Sequence, residues 1–187
     1  MHNIFIYLYP QTITEVHMQF TGFVHNLIRM KREETVDFNI KVAWHAISRM
    51  YNLYGQDFDV TTSSGFVLLN IDVENGTPAT KIAPMVGLES RSLTRILKSM
   101  EQKNWIYREK DPEDGRSVRI FLTDLGRDKR EIARASVKEF NNRVKEKVTK
   151  DELVTFFRII EQINTIAEDK DYIVDFVEQL KNEVAVK

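Results

Sequence analysis

The sequence predicts a mainly α-helical protein with one small β-hairpin in the middle of the chain. The 187 residues include only 7 Gly and 4 Pro, so connections should be short and helices should dominate. Apolar residues recur at helical spacing in most segments of the chain. Around residue 120, in contrast, the apolar residues Val118, Ile120 and Leu122 occupy every second position and alternate with Arg119 and Phe121. This period of two is typical of a half-buried strand.

Residues 1–29 form an unusual segment in which only Glu15 and Arg29 are charged. Thr12 and Glu15 have the spacing of a capping box, and apolar residues follow at helical spacing from Ile13 to Ile28. Two interpretations stay open. The segment is an extra amphipathic helix that packs on a partner, or it is an upstream extension and the physiological start is Met18 or Met30.

Helical periodicity predicts the elements on both sides of the central region. One helix opens near Asp37 and ends at Gly55, and a short buried helix follows the cap-type residues from Thr61 to Ser64. The C-terminal part predicts three more helices: one from Thr123 to about Val148, one that begins with the capping box Thr149 and Glu152, and a last amphipathic helix that includes Tyr172, Ile173, Phe176, Val177 and Leu180.

Residues 77–104 predict two helices separated by a tight turn. Thr77 is a good N-cap and Pro78 suits the first helical position. Pro84 lies inside this first helix and removes one hydrogen bond, so the helix should be short or bent. Gly87 should end it, and Asn104 suits the C-terminal turn of the second helix. A short turn that contains a glycine, here Val86-Gly87-Leu88, is typical of a helix-turn-helix.

The second of these helices has the composition of a DNA recognition helix. Its core face would consist of Leu93, Ile96, Leu97 and Met100. The N-terminal half of such a helix contacts base edges in the major groove, where Arg can bind guanine and Ser or Thr can bind a base or a phosphate. The candidate DNA-binding residues on its polar side are Ser90, Arg91, Ser92, Thr94, Arg95 and Lys98.

A two-stranded hairpin, or wing, should follow the second helix. Trp105 to Lys110 leads into dense turn chemistry at Asp111 to Gly115, and the strand from Val118 to Leu122 returns. Arg116 at the tip is a candidate minor-groove contact, because narrow grooves attract guanidinium groups. The neighbouring Glu113 and Asp114 oppose that attraction, so we expect Asp114 to orient a nearby Arg rather than to face DNA.

The distribution of charge is mildly asymmetric. The whole chain has a net charge of -1. Between Thr77 and Ile120 there are nine Lys and Arg and six Asp and Glu, so this region carries +3, and the rest of the chain carries 18 minus 22, or -4. A basic central region is consistent with DNA binding but does not by itself establish it.

Two runs resemble the MarR family of transcriptional regulators. The run from Leu88 to Glu101 resembles the family's recognition helix, and the run from Asp114 to Gly126 resembles its wing and the start of the following helix. The likeness in layout covers roughly residues 37–167. Three positions depart from the family pattern: Gly115 stands where many members carry a basic residue, Pro84 is unusual, and Asn104 replaces a frequent Gly.

The resemblance implies a winged helix-turn-helix fold with N- and C-terminal dimerisation helices. It implies a homodimer that binds a pseudo-palindromic operator with half-sites about one helical turn apart, and most often represses transcription. The terminal helices also carry more apolar residues than a monomer would leave exposed. The expected division is an N-terminal extension or helix at 1–36, a helical dimerisation region at 37–60 and 124–187, and a DNA-binding lobe at 61–123.

The resemblance also implies a small aromatic or anionic effector that binds between the dimerisation helices and the DNA-binding lobe. Trp44, His45 and Phe66 are the candidate residues for that pocket. The alternative is that Trp44 and Phe66 belong to the core and that His45 lies on a helix surface, because apolar residues at helical spacing are usually core.

Other function classes receive less support from the residues. The chain has no Cys, which removes disulfides, thiol nucleophiles and thiolate metal sites. None of the four His has metal-ligand spacing, and no Gly-rich phosphate loop or nucleophile elbow occurs, so we expect no enzyme, cofactor or metal. Without a signal peptide or a membrane span, the expected location is cytoplasmic. The rival prediction is a winged-helix module that docks on another protein through its terminal helices.

Overall fold

The computed structural model describes residues 31–112 and 117–185. A 3-10 turn at Arg32–Glu34 precedes the first helix, and a second one at Gln56–Phe58 follows it. The helices are α1 Val36–Gly55, α2 Thr62–Leu69, α3 Ala79–Val86, α4 Ser90–Gln102, α5 Asp124–Lys147, α6 Lys150–Glu168 and α7 Lys170–Ala185. The strands are β1 Thr77–Pro78, β2 Ile106–Lys110 and β3 Val118–Leu122. The prediction of a mainly helical protein is confirmed.

Local side-chain chemistry explains where several helices begin. Thr61 and Ser64 form a reciprocal capping box at α2, in which the Thr61 N–H donates to Ser64 Oγ at 2.9 Å. The Thr123 hydroxyl accepts from the Gly126 N–H at 3.0 Å and caps α5. At α6, Thr149 and Glu152 form the capping box that the sequence predicts.

The sheet has three strands rather than the two that the sequence predicts. The order is β1-β3-β2, and both pairs are antiparallel. Thr77 and Pro78, expected to start a helix, instead pair with Ile120 and Arg119. The Thr77 hydroxyl accepts from the Asp72 N–H at 2.9 Å and donates to the Asn70 carbonyl at 3.2 Å. It therefore closes the loop after α2, which is incompatible with capping α3.

The helix-turn-helix consists of α3, a three-residue turn and α4. Helix α3 has only eight residues and contains Pro84, as expected from the missing hydrogen-bond donor. Gly87 adopts a left-handed conformation with φ of 65°, and a side chain there would be strained although the space around it is open. The Leu88 N–H then donates to the Ala83 carbonyl at 3.0 Å, which ends α3 and aims the chain into α4.

The core joins these short elements into one lobe. Its fully buried side chains come from α2, the following loop, α3, α4 and two strands: Val67, Leu68, Ile71, Ile82, Met100, Ile106 and Ile120. Because the wing strands contribute Ile106 and Ile120, the hairpin is held against the helices and does not have to be stable alone.

Of the remaining helices, α5 contributes the buried Ala133 to this core. Helix α5 packs on α2 and α1, whereas α6 and α7 make no extensive contact with another described element. No helix in the described ranges is long and apolar enough to cross a membrane. The two interpretations of residues 1–29, including the capping box of Thr12 and Glu15, lie outside the described residues.

Candidate nucleic-acid interface

Helix α4 separates a buried apolar face from an exposed cationic face. Leu93, Leu97 and Met100 are buried and Ile96 is half-buried, so the predicted core face is confirmed. Arg91, Arg95 and Lys98 follow at intervals of four and three residues. With 3.6 residues per turn, they fall within an arc of about 60° on the opposite side of the helix.

All six predicted DNA-binding residues of α4 are exposed: Ser90, Arg91, Ser92, Thr94, Arg95 and Lys98. In the part of the chain that the structure describes, Arg91, Arg95 and Lys98 take part in none of the ion pairs. The Thr94 hydroxyl donates to the Ser90 carbonyl at 2.8 Å, so it is held against its own helix and retains its acceptor capacity. The structure thus leaves three cations accessible on one face.

The N-terminus of α4 supports the same interface. Glu89 is its N-cap residue, but the Glu89 side chain accepts no hydrogen bond from the first-turn N–H groups. Those N–H groups and the positive end of the helix dipole therefore remain available on the side that carries Arg91. This arrangement favours a phosphate close to the cationic face.

The base of the wing is held by a buried ion pair that the sequence did not predict. The Arg119 guanidinium contacts Asp111 Oδ2 from Nη2 at 3.1 Å and from Nε at 3.2 Å. The two side chains are 17% and 5% exposed, so this pair is better shielded from solvent than the pairs of Lys103 with Asp59 and of Arg108 with Glu101 in the same lobe. Arg119 Nη1 also donates to the Asn75 carbonyl at 3.1 Å, which ties β3 to the loop after α2.

That loop has its own internal support. Asp72 Oδ1 accepts from the N–H groups of Asn75 at 2.7 Å and Glu74 at 2.9 Å. These two hydrogen bonds hold the pKa of the Asp72 carboxyl below its usual range, because they stabilise the carboxylate. The Asn75 carbonyl that Arg119 contacts therefore lies in a turn of defined shape.

The tip of the wing, including Arg116 and Asp114, lies outside the described residues. Their predicted roles stay predictions. At the base, the acid that pairs with a wing arginine is Asp111 and its partner is Arg119. Sequence signals identified Asp111 as a turn residue and Arg119 as a strand residue. Neither signal pairs the two residues. In the ladder, the residue directly opposite Arg119 is Glu109 rather than Asp111.

Neither of two cavities in the described ranges is bordered by all three candidate effector residues. Trp44, 47% exposed, borders an open cleft of about 920 Å³ between α1, the start of α2 and Leu88. Phe66 is half-buried and borders a separate small cavity with Tyr51 on the α5 side. The two rings touch, with centroids 5.8 Å apart. His45 is exposed and borders neither cavity. Nothing in the described ranges groups three or more His, Asp or Glu as a metal site.

Comparison with known proteins identifies the family. The family model described as "MarR family" matches residues 60–118, which include the helix-turn-helix and most of the wing. The HTH-type transcriptional regulator SarZ of Staphylococcus saprophyticus is 31% identical over 129 residues, which cover 67% of this chain and 88% of SarZ. This chain belongs to the MarR family. SarZ of Staphylococcus aureus strain MRSA252 is 33% identical over 105 residues, which cover 56% of this chain and 71% of that protein.

Solved structures of MarR-family type show the same winged-helix fold. The S. aureus MepR–DNA complex has a TM-score of 0.65 at 20% identity and covers 70% of this chain and 97% of MepR. PcaV from Streptomyces coelicolor, solved with its natural ligand, has a TM-score of 0.65 at 19% identity, with coverage of 74% and 98%. The repressor CouR, bound to a 23-mer DNA duplex, has a TM-score of 0.62 at 23% identity, with coverage of 71% and 94%.

Proposed function

We propose that this protein is a sequence-specific DNA-binding transcriptional regulator. The observation that carries the proposal is the exposed cationic face of α4, formed by Arg91, Arg95 and Lys98 on a helix whose opposite face is buried in the lobe. Family membership, the SarZ relatives and the DNA complexes of MepR and CouR support it. On this proposal the protein is not an enzyme and acts in the cytoplasm.

The contacts divide between the two grooves of DNA. Arg91, Arg95 and the neighbouring Ser92 would contact base edges in the major groove, and Ser90, Thr94 and Lys98 would contact bases or phosphates at its border. Arg116 at the wing tip would enter the adjacent minor groove. The lobe at 61–123 would then hold every DNA contact of one subunit.

A homodimer follows from the helices outside the lobe, the proposed dimerisation region at 37–60 and 124–187. None of the side chains of α6 is buried, and Phe156, Phe157 and Ile166 are 53%, 61% and 63% exposed. Exposed apolar residues in this number mark an interface. A two-fold dimer would place two copies of α4 about one helical turn of DNA apart on a pseudo-palindromic operator.

Repression and release by a small ligand complete the proposal. CouR is named a repressor, and PcaV was solved with its natural ligand. The cleft beside Trp44 has a volume in the range of small-molecule sites. Its lining includes Arg49, which suits an anionic or aromatic ligand, and Leu88 from the turn that leads into α4. A ligand there would act on the helix-turn-helix directly.

A protein-docking module is the second candidate, favoured by the exposed apolar side chains of α6 and α7. Salt dependence separates the two candidates. Operator binding through several phosphates should weaken steeply as salt rises, whereas an apolar protein interface should not. A weak, salt-insensitive interaction of the purified protein with genomic DNA would contradict the regulator proposal.

The direct test is a genome-wide DNA pull-down with the purified protein. A regulator of this kind should recover a single pseudo-palindromic motif, and a double Arg91→Ala, Arg95→Ala variant should recover none. The matched control is Lys138→Ala, which removes an exposed cation from α5 and leaves α4 unchanged. Equal recovery of motifs by the wild type and the double variant would exclude α4 as the recognition helix.

A further inference from the structure

Trp105 lies where the recognition helix, the wing and α5 meet. It follows α4 after two residues and is only 3% exposed. Its N–H donates to the Met100 carbonyl at 2.9 Å, and its carbonyl accepts from the Thr123 N–H at 3.0 Å. A Cβ atom at residue 126 would overlap the Trp105 carbonyl, so Gly126 allows α5 to start directly against it. The C-terminal end of α4 is thus seated on the first turn of α5.

Two lysines hold the Trp105 ring from different elements. Lys103 follows the last residue of α4, and its Nζ lies 5.1 Å from the centre of the ring. Lys129 belongs to α5, and its Nζ lies 5.6 Å from the same point. Both distances are within the range of cation–π attraction.

The same two ammonium groups bind the connection between α1 and α2. Lys103 Nζ lies 2.6 Å from Asp59 Oδ2, and Lys129 Nζ donates to the Phe58 carbonyl at 2.8 Å. This connection is a tight turn, because Asp59 has a φ of 61° and the Val60 N–H returns to the Gly55 carbonyl at 3.0 Å. Each lysine therefore joins Trp105, which follows α4, to the connection that follows α1.

The connection between α1 and α2 lies beside the open cleft, so its contacts with the two lysines link that cleft to Trp105. Gln56, Asp59 and Val60 border the 920 Å³ cleft that also contains Trp44 and Leu88. A shift of α1 or of the connection must move Asp59 and Phe58, and through them the two lysines on Trp105. Each contact is weak by itself, because an exposed ion pair contributes little to stability. The four contacts act between the same two points, Trp105 and the connection, so together they restrict how these can move relative to each other.

We propose that Lys103 and Lys129 are positioning residues that fix the orientation of the recognition helix α4 relative to α1 by clamping Trp105 to the α1–α2 connection. The inference rests on the proposed function, in which the orientation of α4 determines operator binding. Neither lysine needs to contact DNA in this role, because both act on the position of α4. In a dimer, loss of the clamp would let the two copies of α4 vary in spacing.

The test measures orientation without DNA and without assuming a dimer. Because the chain has no Cys, spin labels at Ser99→Cys on α4 and Lys41→Cys on α1 report one distance within a chain when labelled protein is diluted into excess unlabelled protein. The clamp variant combines Lys103→Met and Lys129→Met, which keep an unbranched apolar side chain and remove the ammonium groups. The matched control combines Lys138→Met and Lys145→Met, both exposed on α5.

We expect a narrow distance distribution in the parent and the control and a clearly broader one in the clamp variant. A variant with Lys103→Met and Lys129→Arg, which keeps one of the two cations over the ring, should have a distribution of intermediate width. Operator affinity of the clamp variant should fall about fivefold, the lower end of typical coupling between two sites. An unchanged width would overturn the proposal, even if the urea midpoint falls, because the lysines would then be merely structural.

Two further measurements keep the outcome interpretable. In a Trp44→Phe background, fluorescence reports on Trp105 alone and shows whether the junction remains folded; if the double variant unfolds, the single Lys129→Met variant carries the same test. The pull-down experiment decides the proposed function separately. A parent that binds no operator would refute that function while the distance distributions still decide whether the clamp exists.

Discussion

The DNA-binding lobe buries its apolar residues, whereas the C-terminal helices α6 and α7 expose theirs. In the described ranges, the buried apolar side chains lie between Val60 and Ala133, and the lobe turns its cations Arg91, Arg95 and Lys98 to solvent. Helices α6 and α7 show the reverse, with Phe157 at 61% and Tyr172 at 58% exposure and no buried side chain in α6. The lobe completes its core within one chain, whereas α6 buries none of its side chains in the chain itself.

This difference is what the proposed function requires, because it calls for two separate binding surfaces. A lobe whose core is closed can expose a polar, cationic surface without loss of stability, and that surface suits DNA. Helices with a wide apolar face gain stability when they associate, and that face suits protein. Variants of the two regions should therefore affect different measurements.

The largest expected effect is on the dimer. Phe157→Asp places a charge on the exposed apolar face of α6 and should weaken dimerisation by about 4 kcal/mol, as expected for an aromatic anchor of an interface. Sedimentation equilibrium measures the change. Thr165→Asp, an exposed position between Arg158 and Glu161 on the polar side of the same helix, is the matched control and should have little effect. An intact dimer in the Phe157 variant would show that α6 is not the interface.

The next effect concerns stability inside the lobe. Arg119→Gln leaves the carboxylate of Asp111 buried without its guanidinium and should reduce the free energy of unfolding by about 3 kcal/mol, measured by urea denaturation. Arg108→Gln removes a more exposed pair with Glu101, whose side chains are 34% and 44% exposed, and should cost less than about 1 kcal/mol. Equal losses would mean that burial of the Arg119 pair has no energetic consequence.

Operator binding should respond to the cationic face of α4. Arg95→Ala should weaken binding by about 2 kcal/mol if the guanidinium contacts a base. Fluorescence anisotropy gives the affinity and footprinting gives the position. The dimer constant and the unfolding curve should remain those of the wild type. A variant with wild-type affinity and footprint would remove Arg95 from the proposed interface.

The wing should contribute a smaller and mainly electrostatic part. Arg116→Ala should reduce operator affinity by about 1 kcal/mol and lower the slope of log K against log salt by about 1, because one phosphate-proximal cation is lost. The protein should remain dimeric. Dissociation of the dimer would mean that this residue belongs to the protein interface rather than to the wing.

The smallest effect should be a pH dependence in the loop that supports Arg119. The pKa of Asp72 is lowered in the folded state by the N–H groups of Asn75 and Glu74. Its contribution to stability is therefore complete above its unfolded pKa and disappears as the pH falls below about 4. Asp72→Asn should flatten the acid limb of the stability profile. A wild-type profile in the variant would show that the turn gains nothing from the charge.

Most of the secondary structure could be predicted from the sequence, because its determinants are local. The capping box at Thr149 and Glu152, the glycine that ends α3 and the spacing of Leu93, Leu97 and Met100 each depend on residues within a few positions. The same locality made the six polar residues of α4 predictable as one exposed surface. A pocket that is formed by several elements is harder to predict from local spacing. Trp44 and Phe66 touch, but they border different cavities.

Apart from the pair of Asp111 and Arg119, which lie eight positions apart, these errors and omissions involve partners that are distant in sequence. Thr77 has the composition of an N-cap, yet pairing with Ile120 makes it a strand residue. Arg119 contacts the carbonyl of Asn75, which lies 44 positions away, and Lys129 contacts that of Phe58, 71 positions away. No spacing rule covers such separations, so these contacts could not be inferred before the chain was folded.

The sequence by itself determined the helices, the turn at Gly87 and the side of α4 that carries its cations, since helical period and capping act over one or two turns. Only the tertiary structure decided that the wing has a third strand, that Asp111 is the partner of Arg119 and that two lysines meet over Trp105. The reason is physical: these contacts arise where separate elements pack to bury one core, and their geometry depends on the whole lobe.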